Sequence, residues 1–314
     1  MSDIEAVTAA EGATGRTPEP GPAAESRRDK PRSLAGDAWI DLRRNKIFWA
    51  AAVLVAVLVL MAAVPGVFGA GDPRDCALSR QHAGPSGSAF FGYDFQGCDV
   101  YARTIYGARN SILIGLFATL TSGIIALIFG LSAGYFGGWL DALLSRFIDI
   151  VLGLPFLLAA IVLARRLSSD PNDSGIWAVT VTLGFLGWTT AARVMRSSVI
   201  ASKNQDYVAA ARMLGAGPAR LMMRHIVPNS VAAFIVVLTI LLGVNIATEA
   251  TLSFLGVGLK GDAISWGIMI NESSPYVRTA AAPLVWPSVF LALTVLAFIM
   301  LGDAVRDAFD PKLR

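Results

Sequence analysis

The chain contains 314 residues, of which 54% are hydrophobic and only 16% are charged, and its mean hydropathy is +0.58. Soluble globular domains carry about 25% charged residues, so this composition excludes an ordinary soluble domain. It also excludes disordered, collagen-like and disulfide-scaffold proteins, and the formal net charge of +3 gives no indication of a nucleic-acid partner. These values indicate a membrane protein.

The N-terminal residues differ in composition from the rest of the chain. Residues 1–32 are rich in Ala, Gly, Pro, Glu and Arg and show no apolar period, which predicts a disordered cytoplasmic tail. Residues 33–46 have apolar residues near helical spacing, with Trp39 and several basic residues among them, which predicts an interfacial amphipathic helix. A flank that only collects positive charge beside a membrane span explains the same residues equally well.

Six stretches with few charges are long and apolar enough to cross about 30 Å of hydrocarbon. They are the stretch 47–68, the interval between Arg109 and Asp141, the stretch 147–164, and the intervals between Asp173 and Arg193, between Arg224 and Glu249, and between Arg278 and Asp303. No cleavage-site pattern follows the first stretch, so we expect it to remain as an anchor. The sequence predicts an all-α polytopic membrane protein with six transmembrane helices.

The distribution of Lys and Arg predicts the orientation of these spans. If the N-terminus is cytoplasmic, 18 of the 26 Lys and Arg residues fall on the inner side, where such residues collect. Both termini are then cytoplasmic, including a short C-terminal segment 306–314. An extracytoplasmic loop covers 69–109, and a five-helix core covers 110–305 with a cytoplasmic loop at 203–228.

Only two cysteines are present, Cys76 and Cys98, and both lie in the predicted extracytoplasmic loop. An oxidising compartment favours a disulfide between them. The sequence has no C-x-x-C pair or histidine cluster, so we expect no metal site.

Motifs for catalysis are missing from the sequence. It has no G-x-x-x-x-G-K-[ST] phosphate loop, so we do not expect this chain to hydrolyse ATP. It also has no G-x-S-x-G or H-E-x-x-H motif. We therefore expect a conduit that is not itself an enzyme.

The cytoplasmic loop has the pattern of two short helices. Asp206 can cap a helix that Gly215 ends in a left-handed conformation. A second helix can start at Gly217 and Pro218 and end before Pro228.

The side chains expected on the surface of these two helices allow two interpretations. Arg220 and Arg224 are four residues apart on one helix face, and Leu221, Met222 and Ile226 are expected to form a surface apolar patch. This pattern fits a docking surface for a cytoplasmic partner. Attachment of the arginines to anionic lipid explains it as well.

Two acids fall at or near predicted spans. Asp149 interrupts the third span and needs a partner or water, since a charge within a span costs roughly 2.5 to 3.5 kcal/mol. Arg146, three residues earlier, is the expected partner. Glu249 lies about 30 Å along its helix from Pro228, near the outer boundary, and is either part of an outer gate or a marker of the interface.

The segments 206–215 and 224–229 resemble the EAA loop of ABC importer permeases, in the form used by the dipeptide and oligopeptide branch. Ala209 stands where the general motif has Glu. In that family the loop is a coupling helix that sits in a groove of the ATP-hydrolysing subunit. The resemblance assigns ATPase coupling to Asp206, Tyr207, Ala210, Ala211, Arg212, Gly215, Arg220, Arg224, His225, Pro228 and Asn229.

Two more segments are similar to the same branch. Residues 93–99, continued by Arg103 and 106–111, match its G-T-D-x-x-G-R-D stretch and the motif after it, with Cys98 in place of the usual Arg and Tyr93 in place of Thr. Residues 249–258 and 265–267 match the E-A-x-L-S-F-L-G-x-G and S-W-G pair of its C-type subunit.

This resemblance implies a type I ABC importer permease fold and a multi-pass location in the cytoplasmic membrane. It implies import of dipeptides or oligopeptides through a channel formed with a second homologous permease. The implied partners are two ATP-binding subunits, which carry ATP and Mg, and an extracytoplasmic peptide-binding protein. No cofactor is expected on this chain.

Other transporters remain as alternatives. The same architecture serves nickel, glutathione or another small solute in related systems. An ion-gradient-driven secondary transporter is the alternative of another class, although it needs intramembrane ion ligands, and Asp149 is one of few charged candidates.

Overall fold

The computed structural model describes residues 34–168 and 174–309. The predicted tail at 1–32 lies outside the described residues. Within the two described ranges the protein is helical, and extended pairing is limited to isolated bridges in the outer loop. The predicted all-α class is therefore confirmed.

The chain order of the helices follows the apolar stretches of the sequence. The helices are α1 Leu34–Arg44, α2 Lys46–Ala63, α3 Val100–Phe136, α4 Gly138–Gly153, α5 Phe156–Leu167, α6 Ile176–Leu186, α7 Trp188–Lys203, α8 Asp206–Met213, α9 Pro218–Leu221, α10 Val227–Phe254, α11 Trp266–Ser273 and α12 Ala282–Phe309. Short 3₁₀ turns occur at Pro65–Phe68, Leu78–Arg80 and Ser274–Tyr276, and a π turn at Met222–Ile226 joins α9 to α10.

Four helical stretches of the described chain are long and apolar enough to cross a membrane. They are Lys46–Ala63, Val100–Phe136, Pro218–Phe254 and Ala282–Phe309. The third predicted span is a pair of helices, α4 and α5, that meet at an angle of 88°. Pro155 lies at this bend. Because proline lacks a backbone N–H and cannot continue a helix without a break, it explains why the helix is interrupted here.

The ends of three predicted spans differ from the sequence interpretation. The first span, 47–68, is helical only to Ala63, because the chain enters a 3₁₀ turn at Pro65. The fourth corresponds to α6 and α7, which are separated by Gly187. The sixth continues to Phe309 within α12, so the segment predicted to start at residue 306 is still helical where it is described. All six apolar stretches have helical counterparts, which is consistent with a six-helix permease.

Helix α3 is the centre of the packing, because its small residues let α7 approach closely. A Cβ atom added to Gly130 would lie 2.7 Å from the carbonyl oxygen of Ala192, and one added to Gly134 would lie 2.8 Å from Cβ of Val199. Such distances require glycine, as is common where membrane helices cross. This contact holds the C-terminal part of α3 against α7, the helix that precedes α8 and α9.

The outer loop between α2 and α3 is folded onto the ends of the helices. The hydroxyl of Tyr101 donates a hydrogen bond to the carbonyl oxygen of Phe68 at 2.6 Å. The ring of Phe91 stacks on Trp286 at the start of α12, with centroids 4.0 Å apart. These contacts attach the loop to both α3 and α12.

At the N-terminus, α1 packs beside the last helix. Leu42 is buried against Ala304 and Ala308 of α12. The guanidinium of Arg43 lies 5.0 Å from the ring of Trp39, which is exposed. A helix is thus present where the sequence predicts one, and its location at the membrane interface stays a prediction.

Candidate coupling surface and buried polar sites

Helix α8, the first of the two helices for which coupling is predicted, ends where the sequence predicts and begins one residue earlier. Gly215 has φ +81°, and the N–H groups of Gly215 and Ala216 donate to the carbonyl oxygens of Arg212 and Ala211. This is the Schellman arrangement, which requires a left-handed residue. The prediction that Asp206 caps the helix is wrong, because the backbone is extended at Gln205 and already helical at Asp206.

The second coupling helix does not end before Pro228, contrary to prediction. It passes through the π turn into α10, and the N–H of Val227 donates to the carbonyl oxygen of Met222. A π turn is wider than an α turn and accommodates a proline that cannot donate to the preceding turn. As a result, Pro218–Phe254 is one continuous helical stretch.

The sequence predicts that Leu221, Met222 and Ile226 form an apolar patch at the surface, and this prediction is wrong for two of the three residues. Leu221 and Ile226 are buried in the cluster that contains Trp188 and Val199. Packing against α7 decides which side of α9 faces inward, and no single-helix pattern reveals that choice. The exposed apolar residues are instead Met213, Leu214 and Met223, with exposed fractions of 83%, 90% and 68%.

Three arginines for which the sequence predicts a coupling role are exposed beside these residues. Arg212, Arg220 and Arg224 form no ion pair with any residue in 34–168 or 174–309. We define the coupling surface as these three arginines together with Met213, Leu214 and Met223. It combines exposed apolar side chains with unpaired positive charge.

The other predicted coupling residues support this surface in different ways. Tyr207 and Ala210 are exposed on α8, and Ala211 is half-buried. The side-chain amide of Asn229 donates to the carbonyl oxygen of His225 at 2.7 Å, next to Pro228. These residues lie on the helical pair and on its junction with α10.

Buried contacts fasten the coupling helices to the spans. Val208 of α8 is fully buried in the same cluster as Leu221 and Ile226. The hydroxyl of Ser230 in α10 donates to that of Ser202 in α7 at 3.0 Å. The helical pair α8 and α9 is therefore packed against α7 and α10.

The partner of Asp149 differs from the prediction. Its Oδ1 lies 2.6 Å from Nη2 of Arg193 on α7, and Arg146 does not form this pair. Helix α7 packs beside α4 and brings Arg193 to the carboxylate, a contact that a single-helix argument does not include. The pair bridges two helices instead of two turns of one helix.

A second ion pair joins the same two helices. Arg196 donates to both carboxylate oxygens of Asp141, at 2.5 and 2.7 Å. Sequence reasoning missed this pair. The sequence offers one signal for it. Arg193 and Arg196 lie three residues apart on one helix, and Asp141 and Asp149 lie eight residues apart on another.

Glu249 is fully buried, and it lies five residues before α10 ends at Phe254. Its Oε1 accepts a hydrogen bond from Ser253 at 2.8 Å, and Ser111 and Ser265 lie beside the same carboxyl group. Its Oε2 has no hydrogen-bond partner of good geometry among the described residues. The carboxyl group therefore lies where α3, α10 and the start of α11 meet.

The two cysteines are joined in a disulfide in the structure. Cys98 is buried, and its N–H donates to Oδ1 of Asp94 at 2.9 Å. The other oxygen of Asp94 pairs with Arg103 on α3, which also contacts Oε2 of Glu272 on α11 at 3.1 Å. This ionic triad, in which Asp94 and Arg103 are buried, connects the loop between α2 and α3 to helices α3 and α11.

Sequence reasoning placed Asp94 and Arg103 only within a family-like stretch and did not find Glu272. Arg103 and Glu272, which join α3 to α11 here, are 169 residues apart along the chain. No group of His, Cys, Asp and Glu residues in the described part of the chain has the arrangement of a metal site.

Comparison with known proteins identifies the family. Residues 126–314 match the model of the binding-protein-dependent transport system inner membrane component, and residues 33–83 match the N-terminal transmembrane domain of oligopeptide transport permease C. The chain belongs to this family. It is therefore a multi-pass membrane permease component, and the resemblance to the dipeptide and oligopeptide branch is confirmed.

Curated relatives match this permease over three quarters or more of its length. The dipeptide transport system permease protein DppC of Bacillus subtilis (strain 168) is 36% identical over 283 residues, which are 90% of this chain and 87% of the relative. The oligopeptide transport system permease protein OppC of the same organism is 35% identical over 93% of this chain and 94% of its own. The glutathione transport system permease protein GsiD of Pectobacterium atrosepticum is 36% identical over 75% of this chain and 76% of its own.

Solved structures share the fold of the permease. A chain of the methionine ABC transporter MetNI in an inward-facing conformation superposes with a TM-score of 0.54 and 18% identity, covering 66% of this chain and 96% of that one. A chain of an amino acid ABC transporter with histidines gives a TM-score of 0.50 and 16% identity, covering 64% and 91%. At these identities the likeness concerns the fold alone.

Proposed function

We propose that this permease imports dipeptides or oligopeptides as one of two permease subunits in an ATP-driven transporter of the cytoplasmic membrane. The curated relatives named for dipeptide, oligopeptide and glutathione transport support this substrate class. The observation that carries the proposal is the coupling surface, where Met213 and Leu214 are more than four-fifths exposed on a rigidly held helical pair. Exposed apolar side chains at the end of buried helices indicate a protein partner.

Energy would come from separate subunits. Two ATPases would bind ATP and Mg and contact the coupling surface, since this sequence has no phosphate loop of its own. A peptide-binding protein would deliver the substrate on the outer side, and a second, similar permease would complete the channel. In this arrangement both termini of the chain are cytoplasmic.

The rigid attachment of the coupling surface suggests how motion reaches the channel. Closure of the ATPases would displace α8 and α9 as one body, because Gly215 and the helical turns around it fix their geometry. The continuous stretch Pro218–Phe254 would transmit this displacement to α10. The buried contacts of Val208 would transmit it to α7, so both spans would tilt together.

Reconstitution tests the proposal. The permease is placed in liposomes with its second permease, the two ATPases and the binding protein, and uptake of a radiolabelled dipeptide is measured. We expect uptake to require both ATP and the binding protein. Uptake that an ion gradient drives without ATP would support a secondary transporter, and uptake of nickel in place of peptides would overturn the substrate class.

Crosslinking tests the coupling surface directly. A cysteine placed at Leu214 should crosslink to an ATPase subunit, since this side chain is the most exposed of the three apolar residues of the surface. A cysteine placed at Ala201, exposed on α7, provides the control outside the surface. Crosslinks from Ala201 but none from Leu214 would contradict the proposed contact.

A further inference from the structure

Two adjoining cavities lie on the outer face of the permease. Their volumes are about 310 and 650 Å³, and both are lined by Arg74, Asp262 and Ile264. They lie between the outer loop, the first turns of α3 and the segment that joins α10 to α11. We call the two together the outer cleft.

The walls of the outer cleft are fixed by bonds within the chain. The Cys76–Cys98 disulfide lines the smaller cavity. On the opposite side, the side-chain amide of Asn110 donates to the carbonyl oxygen of Ile264 at 2.8 Å. A site that is formed before its ligand arrives binds with less loss of conformational entropy.

A buried arginine lies at the smaller cavity. Arg103 is nine-tenths buried, and two of its nitrogens bond to Asp94 and Glu272. Its Nε–H has no hydrogen-bond partner among the described residues, although it is removed from solvent. Buried donors are normally satisfied, so this enclosed N–H is an exception among the polar groups beside the cavity.

Unpaired charges of both signs surround the cleft. Arg74, Arg109 and Asp262 are exposed, and none of them forms an ion pair within the part of the chain that the structure describes. Glu272 adds a carboxylate that is 30% exposed and has one contact to Arg103. Arg74, Arg109 and Asp262 therefore share one cleft without forming an ion pair with one another or with any other residue in 34–168 and 174–309.

We propose that the outer cleft is a peptide-binding site on this chain that takes the two charged termini of the substrate. Arg109 and Arg74 would bind the peptide carboxylate, for which the guanidinium fork is well matched. Asp262 and Glu272 would bind the peptide ammonium group. The proposal rests on peptide transport as the proposed function and adds a site that the binding protein does not provide.

The size and shape of the cleft favour a small ligand over a protein surface. Small-molecule sites are concave and usually occupy about 300 to 1,000 Å³, which matches both cavities. A zwitterion bridges separated charges of opposite sign better than a ligand with a single charge. The binding protein is the competing occupant, and the test separates the two.

The test measures dipeptide binding to the assembled transporter in nanodiscs without its binding protein. The probe is radiolabelled Ala-Phe with free termini, and equilibrium dialysis gives its affinity. We expect binding that Arg109→Gln and Asp262→Asn each weaken about tenfold, as loss of a charge-assisted hydrogen bond does. Acetylated and amidated Ala-Phe should not bind.

Arg278→Gln is the matched control, since Arg278 is an exposed arginine on the same side that does not line the cleft. It should bind Ala-Phe as the parent does. Arg109→Lys keeps the positive charge and should retain part of the affinity, which separates loss of charge from loss of folding.

Several results would overturn the proposal, and they differ from failure of the proposed function. The proposed site is refuted if the parent and both cleft variants bind Ala-Phe with equal affinity. It is also refuted if the blocked peptide binds as well as free Ala-Phe. Neither result conflicts with peptide uptake by the complete transporter. Weaker binding of the binding protein by the variants, with unchanged peptide affinity, shows a docking surface instead. Absence of any peptide uptake by the complete system defeats the proposed function itself.

Discussion

Gly215 shows how one backbone conformation defines the coupling element. Its φ of +81° ends α8 and turns the chain toward α9, and no atom lies within 4 Å of a Cβ that would be added there. The position thus demands glycine for its backbone angle and not for space. For other residues the left-handed conformation costs roughly 1 to 2 kcal/mol, and more when the side chain is β-branched.

We therefore expect Gly215→Val to uncouple ATP hydrolysis from peptide uptake while the spans still assemble. The strained turn would shift Leu214 and Arg220 relative to each other and misalign the coupling surface. Uptake and ATPase activity of the reconstituted transporter are the measurements.

Gly217→Val is the matched control for this change. Gly217 has an ordinary φ of −69°, and it too has open space around its Cβ position. Uptake should survive in this variant. Parental uptake by Gly215→Val would count against the coupling role of the turn.

At the scale of elements, ion pairs between α4 and α7 hold the bent third span beside the helix that leads to the coupling loop. Arg196 meets Asp141 in a two-pronged contact, and Arg193 meets Asp149. Both pairs are partly exposed, so we assign them modest stability and a mainly geometric role. They fix the rotation of α4 relative to α7.

A double-mutant cycle on Arg196→Ala and Asp141→Ala tests this role. We expect a coupling energy of about 1 kcal/mol between the two changes, measured as the free energy of unfolding in detergent. Arg146→Ala is the control, since Arg146 is exposed on α4 and outside both pairs. Additive effects of the two changes would show that the pair contributes nothing.

Exchanging the two charges of the Asp149–Arg193 pair tests whether the pair itself determines assembly of the spans. Asp149→Arg alone should reduce assembly, because it places two arginines side by side within the spans. Adding Arg193→Asp should restore part of the assembled protein in membranes. No recovery in the double variant would indicate that the surroundings, and not the pair, decide the outcome.

At the scale of the whole molecule, the outer loop and the helices are joined by the disulfide and by the triad of Asp94, Arg103 and Glu272. Asp94 also accepts the N–H groups of Gln96 and Cys98 at 2.9 Å, so it connects the folded loop to α3. A buried charge that loses its partner costs about 3 to 5 kcal/mol. The outer end of the permease therefore depends on these few contacts.

Arg103→Leu should destabilise the permease by about 3 to 5 kcal/mol, because it leaves Asp94 charged and buried without its cation. Arg80→Leu is the control, since Arg80 pairs with Asp75, whose side chain is 70% exposed. It should change stability by less than about 1 kcal/mol. Thermal unfolding in detergent compares the two, and equal shifts would refute a special role of the triad.

The disulfide predicts a pattern of thiol labelling in intact cells. Neither Cys76 nor Cys98 should react with a thiol reagent until a reductant is added, since both sulfur atoms are bonded. Mass spectrometry of the labelled protein reads the result. Labelling of both cysteines without reductant would exclude the bridge in the cell.

The sequence by itself determined the features that depend on local physics. Long apolar stretches with few charges became helices, Gly215 became the left-handed end of α8, and Pro218 became the first residue of α9. Membrane helices need length and hydrophobicity, and a positive φ favours glycine, whatever the rest of the chain does.

Only the tertiary structure decided which helix faces meet. It paired Asp149 with Arg193 instead of Arg146, turned Leu221 inward and buried Glu249 among serines. It also brought Glu272 to an arginine 169 residues earlier in the chain. Such contacts arise from the rotation and approach of whole helices, which the period of one helix does not encode.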